Sequence, residues 1–133
     1  MDAFDADVLI YAASPGHPFG ARLRTLVLAG GGTGSVLLLP EVLSKPLRES
    51  PDGSETRELV ALLARLELRP VDRETAQLAT TYAAAHRLRV PDSTHLATAV
   101  LAGADRFLTN NRRDFPITFP VIAVTYPEMI DPA

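Results

Sequence analysis

Carboxylates at four points of this 133-residue chain could do chemistry together. Asp5 and Asp7 open the run DADVLIYA at 5–12, Glu41 follows Pro40, Asp92 follows Pro91, and Asp114 precedes Phe115. Each has a structural explanation. Asp92 suits a helix N-cap, Glu41 has Lys45 one helical turn on, and Asp114 suits a turn. Carboxylates gathered in one place repel one another and raise each other's pKa unless a cation sits among them. Hard oxygen ligands with no Cys and no His cluster favour Mg²⁺ or Mn²⁺ over zinc. The chemistry such a group supports is metal-assisted hydrolysis, with no side-chain nucleophile required.

The elements that must position these acids read as alternating strands and helices. Residues 8–12 form a short apolar run, and the pattern predicts a buried strand there that carries Asp5 and Asp7 at its front, both on one face. Apolar spacing predicts a helix over 17–29, stopped by Gly30, Gly31 and Gly32. A second strand is expected over 35–39, which puts Glu41 at a strand-to-helix junction, with Pro46 kinking or breaking the helix that follows. The leucines at 59, 62, 63 and 66 mark a helix over 55–66. A proline-bearing strand over 68–71 belongs at a sheet edge. Asp72 is an N-cap for a helix carrying Ala76, Ala79, Tyr82, Ala83 and His86. Asp92 opens a helix over 93–102 that Gly103 ends, strands follow over 106–109 and 121–124, and Asn110 and Asn111 make the turn between them. Alternation of this kind predicts a mostly parallel sheet covered on both faces, with ligands bound beyond the carboxyl ends of its strands.

Length indicates one domain, 1–133. The hydrophobic fraction of 47% and charged fraction of 22% are those of an ordinary globular protein. With no Cys, disulfides and thiolate chemistry are excluded. The longest apolar run falls well short of a membrane span, and the N-terminal residues lack a basic and then apolar leader, so a cytoplasmic location without membrane attachment is expected. A net charge of −3 means a nucleic acid would be drawn by local cations or by a bound metal.

The blocks DADVLIYA at 5–12, PEVL at 40–43, DSTHLATA at 92–99 and FLTNNRRDF at 107–115 resemble, in order and spacing, the PIN-domain family. Within it, the chain is most similar to VapC-type toxins of bacterial and archaeal toxin–antitoxin pairs. The resemblance implies a three-layer α/β/α sandwich around a mostly parallel sheet, and a Mg²⁺- or Mn²⁺-dependent endoribonuclease. It implies catalytic acids at Asp5, Glu41 and Asp92, with Asp5 and Asp92 holding the metal. The fourth acid falls on Asp114 by one version of the family pattern and on the uncharged Asn111 by another. Asp7 stands where the family often has Asn or Ser. The resemblance also implies an RNA substrate, a cognate antitoxin laid across the acids, and a homodimer.

Around the acids, Asp7, Thr109 and Asn111 could support the ligands through hydrogen bonds. Arg112, Arg113, Lys45 and Arg48 could contact RNA phosphates or could be a solvated rim. His95 lies one helical turn after Asp92. It could join a metal site, but a lone His on an apolar helix is more simply a core residue with one hydrogen bond. The alternative function is a PIN-like module whose acids no longer catalyse and which acts through protein or RNA binding, and the uncharged Asn111 favours it. A phosphatase on an α/β scaffold is a third reading, and the absence of a Gly-rich phosphate loop argues against an NTPase.

Overall fold

The computed structural model describes residues 1–132. Five three-residue strands, β1 (Asp2–Phe4), β2 (Thr33–Ser35), β3 (Glu67–Arg69), β4 (Arg106–Leu108) and β5 (Ala123–Thr125), form one sheet in the order β3-β2-β1-β4-β5. Every adjacent pair is parallel. Helices α1 (Ala6–Ala12) and α2 (Gly20–Leu28) connect β1 to β2, and α3 (Leu38–Glu49) and α4 (Ser54–Leu63) connect β2 to β3. Helices α5 (Arg73–His86) and α6 (Val90–Leu101) lead to β4. A single 3₁₀ turn, Pro127–Met129, follows β5.

Alternation along the strands separates two cores. Phe4 and Leu108 face one side, where they meet Val8, Leu9, Leu23, Leu38, Leu59 and Leu62 from α1 to α4. Ala3 and Phe107 face the other, with Leu96 and Ala99 of α6 and an edge-to-face row in which Phe107, Phe115 and Phe119 lie 5.1 and 5.2 Å apart. The result is the three-layer sandwich that the alternation of elements implied.

Several boundaries differ from the sequence expectation, each for a local reason. Residues 8–12 are helix, not strand. The strand is Asp2–Phe4, and Asp5 ends it by accepting the Ala6 N–H as an N-cap. A run of β-branched and apolar residues this short fits a buried helix as well as a buried strand, and here the cap decides. The second strand lies at Thr33–Ser35, because the Ser35 hydroxyl accepts the Leu37 N–H and turns the chain toward α3. Pro46 stays inside α3, which continues to Glu49. Asp92 is not an N-cap. The helix begins two residues earlier, at Val90, with extended Arg89 before it and Pro91 in its first turn. Asp72 does cap α5, accepting from the Thr75 N–H at 2.9 Å, and β3 is an edge strand.

After β1 the chain moves outward through β2 to β3, then crosses back to lay β4 on the other side of β1. Strand order therefore reverses between β1 and β4, and a crevice opens beyond the carboxyl ends of these strands.

Candidate active site

Phe4 pairs with Leu108 across β1 and β4, so the chain leaves both strands side by side, at Asp5 and at Thr109. The Thr109 hydroxyl donates to Asp5 Oδ2 at 2.7 Å, and the Ala6 N–H donates to Asp5 Oδ1 at 2.8 Å. Both carboxylate oxygens are thereby held, and the residue is buried. Burial raises its pKa most. The His95 charge, the Thr109 hydroxyl and the Ala6 N–H act against that, and the Glu41 charge adds to it.

Asp7 sits in the first turn of α1 and not on a strand face with Asp5. Its Oδ2 accepts the Asn110 N–H at 3.0 Å, while its buried Oδ1 has no partner. Burial, then the charge of Asp5, push its pKa up to about 7, and Asp92 contributes. Asp92 lies in the first turn of α6, and its carboxylate accepts no hydrogen bond from the described residues. Burial, then the charges of Asp5 and Asp114, raise it to about 6, and Glu41 adds to this. Asp5 thus acts on Asp7 and Asp92, Glu41 on Asp5 and Asp92, and Asp114 on Asp92, although the chain separates Asp5 and Asp114 by most of its length.

Glu41 lies in the first turn of α3, and its Oε1 is bonded to Nε2 of His95 on α6. It makes no ion pair with Lys45; among the described residues its charge partner is His95. His95 is almost fully buried and its Nδ1 has no partner. Burial lowers its pKa, but the bond to Glu41 and the charges of Asp5, Glu41 and Asp92 outweigh burial, and the net shift is upward. His95 is therefore the core residue with one hydrogen bond that its apolar helix suggested, and that bond goes to an acid. Its place one turn beyond Asp92 was the only signal of this in the sequence.

Both claimants to the fourth position are present and joined. The Asn111 amide donates to Asp114 Oδ2 at 3.0 Å, and the Asp114 N–H donates to Asn111 Oδ1 at 3.3 Å. The Asn111 N–H in turn donates to Thr109 Oγ1 at 3.0 Å, so the segment after β4 links Asp5 to Asp114 through Thr109 and Asn111.

The cations divide. Arg112 is engaged: it is bonded to the Glu128 carboxylate and to Asn110 Oδ1, and its guanidinium lies 4.3 Å over the Tyr126 ring. Arg113, Lys45 and Arg48 are exposed and make no ion pair among the described residues. The Ser93 hydroxyl is turned into its own helix, donating to the Val90 carbonyl at 3.1 Å.

The donor set suits a hard divalent cation. It consists of carboxylates, three of them carry raised pKa values, and one buried carboxylate oxygen lacks a partner. As the side chains stand, no three acidic or histidine groups among the described residues are placed to ligate one ion together. Among the described residues, no helix is long and apolar enough to cross a membrane.

The model of the PIN domain family matches residues 3–118. No curated protein matches. Among solved structures, a toxin–antitoxin complex from Klebsiella pneumoniae superposes with a TM-score of 0.76 at 22% identity, over 96% of this chain and 98% of that one. VapBC2 from Rickettsia felis, bound to a DNA fragment from its promoter, gives 0.73 at 15% identity over 94% and 97%. FitAcB from Neisseria gonorrhoeae gives 0.70 at 18% identity over 98% and 100%. At these identities the structural likeness is one of fold.

Proposed function

The chain belongs to the PIN-domain family, and from that membership we propose that it is a metal-dependent endoribonuclease of the VapC toxin kind, held in check by a cognate antitoxin. The observation that carries the reading is that Asp5, at the end of β1, is linked through Thr109 and Asn111 to Asp114 after β4, with Asp92 and Glu41 near enough for their charges to join the same group of carboxylates. A fold stabilised by burial alone has no use for repelling carboxylates there.

In this reading Asp5 and Asp92 hold Mg²⁺ or Mn²⁺, and Glu41 and Asp114 act through water. Such an ion, when bound, supplies an acidified water and positive charge for phosphodiester hydrolysis. The protein's part is placement. Thr109 and the Ala6 N–H fix Asp5, and Asn111 fixes Asp114. Arg113, Lys45 and Arg48 carry charge free to meet RNA phosphates, which gives affinity and orientation but no sequence information. Folds like this one occur in toxin–antitoxin complexes, which supports an antitoxin as the protein partner; a cytoplasmic homodimer belongs to the same proposal through the family resemblance alone.

The open arrangement of the carboxylates favours one other reading, a PIN module that binds a partner and does not cut. Asp5→Asn separates the two. Incubated with structured RNAs and Mg²⁺ or Mn²⁺, the wild type cuts and the variant does not if the protein is a nuclease, while both bind antitoxin. Equal behaviour of the two proteins with RNA contradicts the nuclease reading.

A further inference from the structure

Among the site acids, three have a side chain as hydrogen-bonding neighbour. Asp5 has Thr109, Asp114 has Asn111, and Glu41 has His95. The first two acids sit on short side chains, Asp5 at the end of a strand and Asp114 in a hydrogen-bonded turn. Glu41 is different. Its side chain is 32% exposed and has three rotatable bonds, on a helix whose outer face is in water. Left alone, such a side chain samples many rotamers, and ordering it costs entropy at the moment a ligand binds. Its contact within the fold is Nε2 of a ring that is 1% exposed and packed into α6.

We propose that His95 is a positioning residue of this site, holding Glu41 on the side of Asp5 and Asp92 by a hydrogen bond from Nε2. The proposal rests on the metal-dependent nuclease reading and deepens it. The chemistry is that of an outer partner that orients a carboxylate before the ion arrives. The ring is well suited to the task. It is buried on a helix where Leu96, Ala97 and Ala99 are also buried, so its direction is set by packing. Nε2 carries a proton in the charged ring and in one of the two neutral tautomers, and either form makes the bond this geometry offers. Thr94 and Thr98, on the same helix, donate to the carbonyls of Val90 and Thr94 and leave His95 without a competing polar neighbour on α6.

The test is a Mn²⁺ titration by calorimetry on the full chain with His95→Gln, His95→Leu, Glu41→Gln and the double variant Glu41→Gln, His95→Leu. His95→Gln keeps a donor where Nε2 stands; His95→Leu keeps bulk and removes the donor. The expected result is a loss of roughly 10- to 100-fold in Mn²⁺ affinity for His95→Leu, recovered in large part by His95→Gln. Glu41→Gln weakens binding by itself, and adding His95→Leu to it weakens binding little further, because the histidine acts through the glutamate. Circular dichroism and thermal melts establish that His95→Leu is folded. If it is not, His95→Gln and His95→Asn, whose shorter amide does not reach the Nε2 position, make the same comparison with polar side chains. Wild-type affinity in the donor-lacking variant, or losses from Glu41→Gln and His95→Leu that add in full, overturns the inference alone. Failure of the wild type to bind Mn²⁺ overturns the inference and the nuclease reading together.

Discussion

Thr109 donates its hydroxyl to Asp5 at 2.7 Å from the neighbouring strand end, across a separation of 104 residues in sequence. The bond exists because Phe4 and Leu108 are paired one residue earlier, so strand register places the hydroxyl beside the carboxylate. Both groups are buried, and the hydroxyl also accepts the Asn111 N–H. One side chain therefore couples the strand pair to the turn that carries Asp114.

Replacing it tests that coupling. Thr109→Val preserves shape and β propensity but leaves Asp5 Oδ2 and the Asn111 N–H without a partner. Stability falls by about 1–3 kcal/mol, measured by urea denaturation. Thr109→Ser, which keeps the hydroxyl, recovers most of the loss.

Metal-free stability declines with rising pH. Asp7 at about 7 and Asp92 at about 6 bind protons more tightly folded than unfolded, where an aspartate titrates near 3.8. The raised pKa of His95 acts in the same sense. The folded state thus carries more protons than the unfolded state above pH 4, and stability present below that pH is lost progressively toward pH 7 to 8. Melts in EDTA are expected to give a Tm lower at pH 8 than at pH 5, by on the order of 5 °C. Mn²⁺ reverses the trend, since it competes with protons for the same carboxylates and stabilises most at the higher pH. A Tm that rises from pH 5 to 8 without metal contradicts the assigned shifts.

The four basic candidates separate in RNA binding. Arg113→Ala, Lys45→Ala and Arg48→Ala each weaken binding and flatten the salt dependence by up to roughly 0.7 in the slope of log K against log salt for single-stranded RNA. Arg112→Ala leaves that slope nearly unchanged. It removes the contacts to Glu128 and the Tyr126 ring, so its effect is on the packing of the segment after β5. Filter binding of an Asp5→Asn background across a salt series reads both outcomes without cleavage.

Much of this was legible in the sequence. Alternating apolar runs and Gly or Pro breaks gave the parallel sandwich, and the edge position of β3 followed from Pro70. Asp72 announced its helix through ordinary capping chemistry, which local sequence encodes. The boundary errors arose where local signals conflict. A five-residue apolar run at 8–12 has no period that distinguishes strand from buried helix, and only the Asp5 cap decided it. Asp92 looked like a cap because Ser93 follows it, yet Pro91 fits the first turn and moves the start to Val90. The pairing of His95 with Glu41 was not legible. It joins α6 to α3 across 54 residues, and no spacing rule reports a contact between elements that lie side by side only after the sheet has formed. Arg112 was ambiguous for the same reason, since Glu128 and Tyr126 reach it only through β5.

In the proposed function, carboxylates from separate segments serve one divalent cation. Direct Mn²⁺ titration at pH 7.5 of the wild type, Asp5→Asn and Asp92→Asn measures it. Saturable binding is expected of the wild type, with an affinity lower by at least about tenfold in each variant. Binding that is absent from the wild type, or unchanged in both variants, contradicts it.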